Sequence, residues 1–160
     1  MCSYCGCDAE RVIAELMDEH EQISWLAGRL LLAYQRGDRQ LADALGEEIA
    51  GRFDHHATKE ERGLFSQLLE AALGEDAVAE LESDHRDLRP GLRGAVDGTW
   101  IGPGGLIDRL LRHAEREDSD VFPFALQLLP NQAWAEIQAV HHRFDGAPSR
   151  PAGARQTTIG

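Results

Sequence analysis

Residues 56–65 read HATKEERGLF, and 57 residues further on (113 − 56) residues 113–122 read HAEREDSDVF. Each stretch is a histidine, an alanine, two variable positions, a glutamate, a second acid, small or polar residues, and a phenylalanine. Their meaning depends on where the side chains fall on an α-helix turning about 100° per residue. Ile49, Phe53, His56, Glu60 and Leu64 follow one another at spacings of three or four, so His56 and Glu60 share a stripe with core residues. Leu106, Leu110, His113, Glu117, Val121 and Phe124 form the matching stripe of the second copy. His55 aligns instead with Glu48, Arg52, Lys59 and Arg62, which reads as a solvated face.

Working outward, helical periodicity continues on both sides. A first helix is predicted over 8–35, with Val12, Ile13, Leu16, Met17, Ile23, Ala27 and Leu30 on one side. Gly37-Asp38 stops it and caps a second helix over 38–73, whose stripe begins at Leu41 and ends at Leu68. A third covers 75–96, kinked or broken at Pro90. DGTWIGPGG (97–105) reads as a loop, a fourth helix covers 103–129, bending at or tolerating Pro123, and a short fifth covers 130–144. No segment has the alternation of a strand. The expected fold is all-α: an up-down-up-down four-helix bundle with a short C-terminal helix.

The histidines are distributed one per rod. His20 falls between Leu16/Met17 and Ile23/Ala27 on the first helix, and His85 between Leu81 and Leu88/Leu92 on the third. With His56 and His113, each bundle helix points one histidine inward, and two add a carboxylate one turn later. A buried carboxylate costs several kcal/mol unless it is paired or ligated. A metal ion removes that cost, because neutral imidazole and carboxylate are donors to iron, zinc and manganese. His141 and His142 stand outside the repeat and read as ordinary surface or packing residues.

Composition narrows the function from the other side. The chain has 160 residues, enough for one domain. Its formal charge of −12 argues against binding nucleic acid or an anionic membrane, which needs a basic surface. No apolar run approaches the roughly 20 residues that cross a bilayer. The N-terminus lacks the basic and apolar regions of a signal peptide, so the cytoplasm is the expected location. Cys2, Cys5 and Cys7 crowd a Cys-rich segment, 1–7, and cannot staple a fold. A free reduced tail is the plain reading; thiol exchange or metal capture is the sharper one, although three sulfurs cannot complete a tetrahedral zinc site unaided. The domain proper is placed at 8–144, and the Pro/Gly-rich 145–160 reads as a disordered tail.

The order His20, His56-x-x-x-Glu60, His85, His113-x-x-x-Glu117 resembles the hemerythrin family in its wider HHE cation-binding form, over roughly residues 10–129. DEHEQI (18–23), the doubled acids Glu60-Glu61 and Glu117-Asp118, and VFP (121–123) support it. The resemblance implies an oxo- or hydroxo-bridged pair of iron ions, with manganese or zinc able to use the same donors. It implies His20, His56, His85 and His113 as ligands and Glu60 and Glu117 as bridges, with Glu61 and Asp118 as alternatives. Carriers in the family place an aspartate five residues after the fourth-helix histidine, a spacing that Asp118 fills. Glu117 nevertheless lies nearer the apolar stripe and matches Glu60 in the repeat.

Carriers also hold a fifth histidine, four residues after that of the third helix. Here that position is Arg89, which stays protonated and is no ligand. Glu82 and Tyr34 are the other side chains that could replace it. One donor fewer opens a second coordination position, which tilts the expectation from reversible O₂ carriage, sensing or iron sequestration toward a reactive centre. The expected partner is a small diatomic molecule or peroxide, with catalase-like turnover favoured, on a monomer or weak dimer.

Overall fold

The structure, a computed structural model, describes residues 7–146. Helix α1 (Cys7–Gln35) is the first rod. Gly37, at φ 75°, takes the left-handed turn that ends it, and Asp38 caps α2 by accepting from the Leu41 N–H at 3.1 Å. The second rod is α2 (Arg39–Glu60), a π turn (Glu61–Phe65) and α3 (Ser66–Glu70). The third is α4 (Glu75–Leu92). The fourth is α5 (Leu106–Arg116), a second π turn (Glu117–Val121) and α6 (Phe122–Leu128). Helix α1 packs on α2 and α5, α2 on α4, and α4 on α5, while α7 (Asn131–Asp145) lies across α1, α2 and the first π turn. This is the expected all-α bundle with its short fifth helix.

The core is apolar at both ends and polar in the middle. One apolar cluster joins Ile23 to Ala33 of α1 with Ile49, Phe53, Leu88, Leu92, Trp100 and Leu110. The other joins Val12 to Leu16 with Leu64, Phe65, Leu81, Phe122 and Trp134. Every inward histidine falls between the two. Burial of these side chains at ~25 cal/mol per Å² drives the assembly. The loop after α4 seals one end: a 3-10 turn (Gly98–Trp100) buries Trp100 against Gly46, where a Cβ would come within 2.7 Å of Val96 Cγ2 and 3.2 Å of the indole.

Several sequence expectations need correction. The third helix ends at Leu92 rather than 96, because Pro90 brings no N–H to the last turn; the fourth starts at Leu106 rather than 103. Neither π turn was expected. Each inserts one residue into the helical register, so in the fourth rod Phe122 and Ala125 face inward and Phe124, assigned to the stripe, is 38% exposed. Pro123 lies in the first turn of α6, just past that turn, where the regular hydrogen-bond ladder is already interrupted. Met17 and Leu41, also assigned to stripes, are 41% and 39% exposed. Lys59, assigned to the solvated face, is 1% exposed. Among the described residues no helix is long and apolar enough to cross a membrane. The expectations for the first six residues, which include Cys2 and Cys5, and for 147–160 lie outside the described residues.

Candidate metal centre

At mid-height of the bundle His20, His56, Glu60, His85, His113 and Glu117 converge, all buried. Their donor atoms make two groups that share both carboxylates: His20, His56, Glu60 and Glu117, and Glu60, His85, His113 and Glu117. The donor atoms of each group lie within 4.8 Å of one another, close enough to hold a metal ion. Glu60 turns Oε1 to His56 Nε2 at 3.3 Å and Oε2 to His85 Nε2 at 3.4 Å. Glu117 turns Oε2 to His20 Nε2 at 3.1 Å and Oε1 to His113 Nε2 at 3.3 Å. Each carboxylate thus offers one oxygen to each histidine pair.

The atoms facing this interior are left wanting. His20 Nε2, His56 Nε2 and all four oxygens of Glu60 and Glu117 are buried without a hydrogen-bond partner, since the close approaches between them lack hydrogen-bond geometry. So many orphaned acceptors in one place would be costly in a finished core. Cations satisfy them, and the mixed nitrogen and carboxylate donor set suits iron, manganese or zinc.

In the metal-free chain protons take up part of that role. Burial pulls the His20, His56 and His113 imidazoles down, but the neighbouring Glu117 and Glu60 carboxylates override it. All three are raised, His56 well above its ordinary value and His113 to about 9. Burial pushes both carboxyls up. The close imidazoles nevertheless hold Glu60 below, and Glu117 well below, the usual carboxylate range.

Outside the donor set runs a closed ring of acids, each reaching from one rod to the histidine of the next. Glu19 of α1 accepts from His56 Nδ1 at 2.6 Å, and Glu61 of the second rod from His85 Nδ1 at 2.9 Å. Asp84 of α4 pairs with His113 Nδ1 at 3.3 Å, and Asp118 of the fourth rod with His20 Nδ1 at 2.8 Å. An ionised acid only accepts, so every Nδ1 carries the proton and the ring turns its Nε2 inward. Glu61 and Asp118, the alternative bridges, therefore sit on the outer edges of the imidazoles. Tyr34 packs under the Arg39 guanidinium, 5.1 Å from ring centroid to Cζ, and Glu82 belongs to neither donor group.

The repeat at 56–65 and 113–122 has a physical meaning. Each copy supplies a histidine and a glutamate to the centre, then an acid and a phenylalanine to the next rod. Phe65 stacks on His85 at 5.7 Å, as Phe122 does on His20 at the same distance. The π turns, Glu61–Phe65 and Glu117–Val121, carry those acids, and such turns recur at functional sites. Glu19, Asp84 and Lys59 escaped the sequence reading. For the first two a signal existed, since each immediately precedes an inward histidine.

A four-helix bundle around paired histidine–carboxylate groups defines a metal-binding protein. The family model for the hemerythrin HHE cation-binding domain matches residues 11–125, and the chain belongs to that family. Comparison with curated proteins and with solved structures returns no match.

Proposed function

We propose that this chain is a di-iron protein that turns over hydrogen peroxide. His20 and His56 would hold one iron, His85 and His113 the other, with Glu60 and Glu117 bridging. The observation that carries the reading is the set of orphaned buried acceptors shared between two donor groups. Bound iron would supply Lewis-acid and redox chemistry. The chain contributes the rest. The acid ring keeps the imidazole lone pairs aimed inward, and Phe53, Phe65 and Phe122 wall the site against water.

The absence of a fifth histidine supports reaction over carriage. Arg89 turns outward to Glu61 and Asp54, so no imidazole fills that position. Peroxide is favoured over O₂ or nitric oxide because its disproportionation balances by itself: two peroxides give one O₂ and two waters. Reduction of O₂ or nitric oxide needs an electron donor.

The test is to purify the protein with iron, measure iron per chain, record the visible spectrum and add hydrogen peroxide to a stirred oxygen electrode. Prompt oxygen release supports the proposal. A reversible colour change with O₂ and no peroxide loss would indicate carriage or sensing. Loosely held iron without turnover would indicate sequestration. A His56→Ala/Glu60→Ala double variant that kept its iron would overturn the ligand assignment.

A further inference from the structure

A lysine ammonium taken out of water is costly unless its donors are met, and Lys59 meets them in an informative way. Its Nζ donates to Glu19 Oε1 at 2.6 Å and to Asp145 Oδ1 and Oδ2 at 3.2 and 3.0 Å. The other oxygen of Glu19 is the one that accepts from His56 Nδ1. Glu19 is thereby divided, one oxygen for the cation and one for the imidazole.

Arg89 repeats the arrangement on the far half of the centre. Its Nη1 and Nη2 donate to Glu61 Oε1 and Oε2 at 2.8 and 3.1 Å, while its Nε donates to Asp54 at 2.9 Å. Glu61 Oε1 accepts from His85 Nδ1. Among the described residues Asp118 and Asp84, which hold His20 and His113, pair with no lysine or arginine. Each half therefore contains one histidine whose acid is clamped by a cation and one whose acid is not.

We infer that Lys59 and Arg89 are positioning residues for the metal centre, each fixing the carboxylate that orients one histidine, His56 and His85 respectively. The inference rests on the ligand assignment above. A glutamate at the protein surface has several rotamers and water to compete for its oxygens. Pinned by a cation, it presents one oxygen to Nδ1 in one place, and the imidazole behind it keeps its tautomer and tilt. The clamp also brings α7 into the site, because Asp145 is the second acceptor for Lys59. Where carriers in the family put a fifth donor, this chain puts the residue that holds a donor's acid.

The experiment titrates the metal-free full chain with cobalt(II), followed by visible absorption. The variants are Lys59→Met, Glu19→Ala and their double, with Arg89→Gln, Glu61→Ala and their double. Wild type should bind two cobalt ions. Lys59→Met should weaken one of them about tenfold and change its absorption band, with the other within about twofold, and Arg89→Gln should weaken the other one. Each double variant should bind no worse than its acid variant alone, since the cation acts through that acid. Additive losses, or equal weakening of both ions, would overturn the inference. Should Lys59→Met fail to fold, Asp145→Asn must weaken the same cobalt by a smaller factor, and no change there overturns it too. A wild-type chain that takes up no cobalt defeats the ligand assignment itself, a result distinct from the others.

Discussion

Nε2 of His85 and Nε2 of His113 face each other at 3.0 Å. Each ring carries a proton on Nδ1, toward Glu61 and Asp84, so neither Nε2 has one to donate while both rings are neutral. Two lone pairs at that distance repel. The contact is favourable only with a proton or a cation between them, and the Glu117 and Glu60 carboxylates that raise His113 favour the proton where no cation is bound.

Metal uptake must therefore expel protons. Calorimetry of the metal-free chain with cobalt(II) at pH 7, repeated in buffers of different ionisation enthalpy, should report net proton release. Affinity should rise with pH up to about 9, where His113 empties by itself. An affinity that stayed flat from pH 6 to pH 9 would contradict protonated imidazoles in the empty site.

Stability of the metal-free chain should fall on both sides of neutrality. For the raised His20, His56 and His113, the folded state holds protons that the unfolded state has lost above the ordinary histidine value of 6.5. Their contribution is complete below that value and is lost as pH rises through each raised folded value, about 9 for His113. For the lowered acids the sign reverses. Glu19 is held to about 2: burial pushes it up, but the His56 hydrogen bond and charge and then Lys59 outweigh it. Its contribution, with those of Glu60 and Glu117, is present above 4.5 and lost as pH falls. Urea unfolding of chelator-treated protein from pH 3 to pH 10 should trace this dome. With metal bound the alkaline arm should flatten, because coordination needs deprotonated imidazole.

How much of this could be read from the chain alone follows from which interactions are local. Periodicity placed His20, His56, His85 and His113 inward because each lies between apolar neighbours one turn away on its own helix. The preference for Glu117 over Asp118 came from helical angle, and the buried side chain between the histidines is Glu117. What periodicity could not give was cross-rod. That Glu19 serves His56, and Asp84 serves His113, depends on which rods are neighbours. Lys59 is polar and sits at a polar helical angle, yet α7 covers that face, so burial there is a tertiary fact. The π turns shift the register after Glu60 and Glu117, which is why Phe124 points outward where regular spacing turned it in.

The two neighbouring acids of the fourth rod should behave differently. Glu117 shares its oxygens with both histidine pairs, so Glu117→Gln, which removes the charge they share, should abolish or deplete metal in both halves. Asp118 touches only His20 Nδ1, so Asp118→Asn should keep both ions and weaken one by roughly 10–100-fold. Metal content by elemental analysis after gel filtration separates the two. The reverse order would make Asp118 the bridge.

The end of α3 offers a stability test far from the metal. Ala72 adopts φ 54°, a left-handed conformation that a side chain disfavours and glycine does not. It closes the helix in the usual way, with the Leu73 N–H bonded to the Leu68 carbonyl at 2.9 Å and the Ala72 N–H to that of Leu69 at 3.0 Å. Relief of the Cβ strain outweighs the extra chain entropy of glycine. Ala72→Gly should then stabilise the protein by about 0.5–1 kcal/mol, raising the melting temperature by roughly 1–4 °C. Thermal unfolding by circular dichroism, with metal content matched to wild type, reads the shift. A lower melting temperature would mean that the turn does not hold this conformation in solution.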